Sequence, residues 1–157
     1  MALVGLTATP LSVVNFQLIR YASEHLPAIL VDCANAACPH RYYPMINLSA
    51  MQQIYVFELE LLHKFRDVLK RVPLYIRNLK VKSIIVTTSD RLINYHDEKE
   101  NNDIYTHCWV LMKKIGQTND IVVGVAPHSH QYNYAVRFCD RLETVYGTHR
   151  SFSTRDD

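Results

Sequence analysis

Three short apolar runs limit the possible folds more than any other feature of the chain. They are Ala28-Ile29-Leu30-Val31, Ser83-Ile84-Ile85-Val86-Thr87-Thr88 and Ile121-Val122-Val123-Gly124-Val125. A strand with one wet face alternates apolar and polar residues; a continuous run marks a strand covered on both faces, as in a parallel sheet. Ala2 to Leu6 is a fourth such run. Between the runs the period changes. Leu11 to His25 carries apolar residues at 11, 14, 18 and 22. The segment from Glu58 has Leu61, Leu62, Phe65, Val68, Leu69 and Val72, and that from Ile104 has Cys108, Leu111, Met112 and Ile115. Both show the i, i+3, i+4 spacing of a helix with one buried stripe.

Alternating strands and helices predict a three-layer α/β/α fold with a mainly parallel sheet. Strands are expected near residues 2–6, 28–32, 82–88 and 120–126, and helices near 11–25, 57–72 and 103–115. Gly116 reads as the C-terminal cap of the last helix. Residues 52–56 read either as a short strand or as the start of the helix after them. The segment from Tyr134 to Phe152 reads as a short helix leading into an edge strand. The chain of 157 residues, 48% hydrophobic and 20% charged, suits one domain, with a flexible tail from about residue 150. Four cysteines, none in CxxC spacing, are too few for a disulfide scaffold and point to a reducing compartment. No apolar run approaches the ~20 residues of a membrane span, and no secretory signal is evident. An intracellular location is expected, cytoplasmic or nuclear. The net charge of +2 gives no support for a highly basic coat for nucleic acid, so any such site must be a local patch.

In an open parallel sheet, ligands bind beyond the carboxyl ends of the strands. The first such end, Gly5-Leu6-Thr7-Ala8-Thr9-Pro10-Leu11-Ser12, has the length of the phosphate-binding pattern G-x-x-x-x-G-K-[ST]. It keeps Gly5 and Ser12 but has Pro10 for the second glycine and Leu11 for the lysine. With the other strand ends added, the whole chain resembles the ATPase core of the RecA/RadA recombinase superfamily. Leu30 to Ala37 resembles the second core strand and its loop, with Ala34 where the family has its catalytic glutamate. Val81 to Thr88 resembles the Walker B strand, with Thr87 where the family has its magnesium-side aspartate. Ile121 to Pro127 resembles the next strand, whose end carries a polar sensor residue, often Gln; here that place is Ala126 or Pro127. Ala135 to Glu143 resembles the entry to a later strand.

The resemblance implies a RecA-like P-loop NTPase core without a functional P-loop. Phosphoryl transfer is mostly positioning and electrostatics, and the groups that would supply them are replaced. The expected molecule is a pseudo-ATPase without cofactor. It would act through contact with another RecA-like subunit or recombinase, or with itself, as an accessory factor in homologous recombination and DNA repair. The alternatives are a DNA- or tRNA-binding module, as in RecA-like rings of the Elongator type, and a zinc-dependent enzyme. The loop from Asp90 to Asn102, with Asp97, Glu98 and Glu100 and nearby Asp103, repels phosphate. The loop from His128 to Asn133 is short for the family's DNA-binding loop.

Other residues carry candidate chemistry of their own. Cys33, Cys38 and His40, with His128 at another strand end, could supply nitrogen and sulfur ligands to zinc; the competing reading is a half-buried Cys33 and solvated histidines. Lys64, Arg66, Lys70 and Arg71 form the densest basic stretch, and Arg137 and Arg141 lie further on. Together they are the nucleic-acid candidates, against a solvated helix face. Tyr42, Tyr43, Tyr132, Tyr134, Tyr146 and Phe152 are the interface candidates, since tyrosine suits a surface buried on one side and wet on the other. His96, Asp97 and His107 have no nucleophile beside them. Trp109 and Met112 read as packing residues.

Overall fold

The structure is a computed structural model that describes residues 1–9, 12–33, 46–92, 98–147 and 152–155. Its elements are β1 (Leu3–Thr9), α1 (Ser12–Glu24), β2 (Ala28–Cys33), α2 (Leu48–Met51), β3 (Ile54–Leu59), α3 (Leu62–Leu79), β4 (Ser83–Val86), a 3-10 turn (Asp90–Leu92), α4 (Glu98–Gly116), β5 (Ile121–Gly124), α5 (His130–Phe138), β6 (Arg141–Gly147) and β7 (Phe152–Arg155).

The strands form one seven-stranded sheet in the order β3-β2-β4-β5-β1-β6-β7. The first six pair in parallel, and β7 runs antiparallel to β6. All four strands expected from the continuous apolar runs are present and parallel. Successive residues alternate between two cores. Ile29, Val31, Ile84, Val86, Ile121 and Val123 face α3, α4 and α5. Ala28, Leu30, Ile85 and Val122 face α1 and α2. Two-sided burial is thus why these strands read as unbroken runs. Trp109 and Met112 are fully buried packing residues of the α4 side.

Several boundaries differ from expectation; α4, for one, opens at Glu98, inside the stretch that reads as a loop to Asn102. Residues 57–59 finish β3 rather than opening a helix, because Ile54 to Leu59 pair residue by residue with β2. Helix α3 runs past Pro73 to Leu79 and closes at Lys80, whose φ of 52° is left-handed. Pro73 has no N–H to give the carbonyl of Leu69. The packing of Tyr75, Ile76 and Leu79 against the core offsets that loss. β6 is not an edge strand, because β7, within the stretch that reads as a flexible tail, pairs along it. Helix α4 does end at Gly116, but no glycine has a positive φ. A Cβ at Gly116 would lie 2.9 Å from the backbone nitrogen of Leu3. The glycine therefore serves close approach of α4 to β1 rather than a left-handed cap. Among the described residues no helix is long and apolar enough to cross a membrane.

Candidate functional site

Parallel strands bring the carboxyl ends of β1, β2, β4 and β5 to one edge of the sheet. Thr87 follows β4 there and is fully buried. Its N–H donates to Val31 O at 3.1 Å, and its Oγ1 accepts from the Cys33 N–H at 2.8 Å. The hydroxyl thus extends the β2–β4 ladder by one side-chain bond and is closed off from solvent. Cys33 is buried beside it, and burial pushes its thiol well above the ordinary value.

Next along the edge is a buried polar network. Gln131, the second residue of α5, is fully buried. Its Nε2 donates to Gly124 O at 2.7 Å and to Ser89 Oγ at 3.3 Å, and its Oε1 accepts from Ala126 N at 3.0 Å. Ser89 Oγ and Tyr105 OH share a hydrogen bond of 2.8 Å. Burial drives the Tyr105 phenol pKa strongly upward, so the phenol stays neutral. Ser129 Oγ donates to Ala126 O at 2.7 Å, and His128 makes the turn with a left-handed φ of 60°. One amide thereby satisfies the strand end that the family resemblance assigns to a sensor residue. The resemblance points to Ala126 or Pro127, whereas Gln131, Ser89 and Tyr105 supply the polar groups there. The available signal was the spacing of Gln131 and Ala135, which puts a polar residue on the buried stripe of α5.

Beside this network a cleft of about 580 Å³ opens, lined by Thr7, Pro127, His128, Tyr132, Asn133 and Thr144 among others. Among the described residues no Lys, Arg, Asp or Glu lines it.

The remaining candidates are dispersed. Ser12 opens α1; Pro10, Leu11, Ala34, Cys38, His40, Tyr42, Tyr43, His96 and Asp97 lie outside the described residues. No group of three His, Cys, Asp or Glu side chains suited to a metal occurs among the described residues. Lys64, Lys70 and Arg71 are exposed on α3, and Arg66 is half-buried. Arg137 is exposed on α5, its guanidinium 5.3 Å from the Phe138 ring centre. Arg141 lines a pocket with Gln17 and Tyr21 on the α1 side and pairs with Glu143 at 2.7 Å. It is therefore separate from the α3 cations. Tyr132 is exposed, whereas Tyr134 is half-buried, edge-on to Tyr105 and stacked with Trp109 and Phe138. Tyr146 and Phe152 lie on β6 and β7.

The fold, a mostly parallel sheet covered by helices, matches a RecA-like α/β core. Among solved structures, the chain is similar to a KaiC-like protein from the hyperthermophilic archaeon Pyrococcus horikoshii OT3. The TM-score is 0.65 at 11% identity, over 98% of this chain and 76% of the other. At that identity the likeness is one of fold. No family model and no curated protein matches the sequence.

Proposed function

We propose that the chain is a non-catalytic RecA-like protein that works through protein–protein contact. Its partner is another RecA-like subunit or a recombinase, or a second copy of itself. Its role is that of an accessory factor in homologous recombination and DNA repair. The supporting observation is Thr87. It stands where the resemblance calls for the magnesium-side acid, and its hydroxyl is engaged by the Cys33 N–H in a site closed to solvent. With Leu11 in place of the phosphate-binding lysine and Ala34 in place of the glutamate, the residues do not fit a magnesium nucleotide.

Purified protein is expected to hydrolyse ATP only at background, and Leu11→Lys alone should not restore turnover. Saturable, magnesium-dependent turnover would refute the reading. Affinity capture followed by mass spectrometry is expected to recover a RecA-like ATPase, a recombinase or the chain itself. Recovery of none of them refutes the pairing.

A nucleic-acid-binding role is the second reading, favoured by the exposed Lys64, Lys70 and Arg71 on one helix. It requires binding to single-stranded DNA or tRNA that weakens steeply with salt.

A further inference from the structure

A groove of about 470 Å³ lies between the second half of α3 and the last turns of α4, on the helical face away from the strand ends. Its apolar lining includes Pro73, Ile76 and Leu111. Pro73 is exposed there, and Leu74 beside it is also exposed. The polar lining is cationic, from Lys70 and Arg77 on α3 and Lys114 on α4, and all three are exposed. Among the described residues no Asp or Glu lines the groove. An apolar strip bordered on both sides by cations calls for an occupant that is apolar along one line and acidic beside it.

The spacing narrows the occupant further. Lys70 and Arg77 are seven residues apart on one helix, about 10.5 Å along its axis at 1.5 Å per residue. A helix laid along the groove repeats its own side chains at the same interval, so acids seven apart would meet both cations. Grooves between two packed helices accept a third helix through i, i+3, i+4 and i+7 anchors. A nucleic-acid backbone would use the cations but leave the apolar strip against water or phosphate. We propose that this groove docks an acidic amphipathic helix of a partner protein, with its apolar stripe on Ile76 and Leu111 and its carboxylates on Lys70, Arg77 and Lys114. The proposal deepens the interaction reading above and rests on it.

The test uses two labelled synthetic helices. One carries a leucine stripe flanked by glutamates seven residues apart; the other has glutamine for glutamate. Fluorescence anisotropy is expected to show saturable binding of the first, about tenfold tighter than the second. Hydrogen exchange should slow at residues 69–77 and 111–116. Lys70→Glu with Arg77→Glu should weaken binding by about tenfold or more, and Leu111→Ser should weaken it too, whereas Lys64→Glu should not. No saturable binding, equal binding of the two helices, or indifference to the groove variants would overturn the proposal. So would displacement of the peptide by a single-stranded oligonucleotide lost in the same variants. ATP turnover would sink the non-catalytic reading without altering the peptide result, so the two failures are distinguishable.

Discussion

Gln131 uses one side chain to join three elements, contacting Gly124 at the end of β5, Ala126 just beyond it and Ser89 after β4 from its place on α5. All of these bonds are buried. Gln131→Ala should leave the Ala126 N–H and the Gly124 carbonyl without their partner. The expected loss is about 2–3 kcal/mol in denaturant unfolding, since each buried orphan costs about 1–3 kcal/mol. Gln131→Glu should cost more, because a carboxylate cannot donate to Gly124 O; a loss equal to that of alanine would show that the carbonyl finds another donor. This part of the site was hidden in the sequence for a physical reason. The strand end at Ala126 is apolar in its own residues, and its polar partner arrives from the next helix. Thr87 and Cys33, by contrast, were legible as positions, but not the bond that joins them.

At the scale of elements, the central strands were legible because two-sided burial leaves no polar residue to interrupt them. β3 was ambiguous because it is an edge: Ile54 and Leu59 are buried while Tyr55 and Val56 are exposed, so it shows neither a continuous run nor a clean alternation. The end of α3 was obscured by Pro73, which ordinarily stops a helix. Lys80 closes that helix in a left-handed conformation that costs a residue with a Cβ about 1–2 kcal/mol. Lys80→Gly should therefore stabilise the protein by up to about 1 kcal/mol, part of the relief being lost to the freer unfolded chain. A fall in melting temperature would show that the lysine side chain has a role there.

Asp140 links α4, β1 and β6 in a similar way. Its carboxylate pairs with Lys113 and accepts the Leu3 N–H at 2.8 Å, and its own N–H donates to Leu3 O at 2.8 Å. The Lys113 ammonium first, and then the Leu3 N–H, hold its carboxyl below the ordinary value of 3.8. A depressed carboxylate stabilises the fold above its unfolded pKa, and the contribution is lost as the pH falls through the folded value. Asp140→Asn should accordingly melt earlier than the parent at pH 7, and the gap should narrow as the pH drops below about 4. A gap that is constant with pH would show that the charge contributes nothing.

For the molecule as a whole, the placement of β1 sets a condition on biosynthesis. β1 lies inside the sheet, yet one of its neighbours is β6, and Leu3 is tied to Asp140, 137 residues later. At about 5–20 residues per second, roughly 7–27 s separate the emergence of those two segments from the ribosome. Throughout that interval one edge of β1 and the apolar residues beside it have no native cover. Pairings this distant in sequence also close slowly once both strands are available. A chain stopped after Phe138 should therefore remain protease-sensitive and bind chaperones, whereas one extended through Gly147 should resist digestion. If the shorter chain resisted equally, β6 would be dispensable for closing the core. Otherwise β1 needs cover from outside the chain for the whole interval between the synthesis of Leu3 and of Asp140, because it must wait for β6.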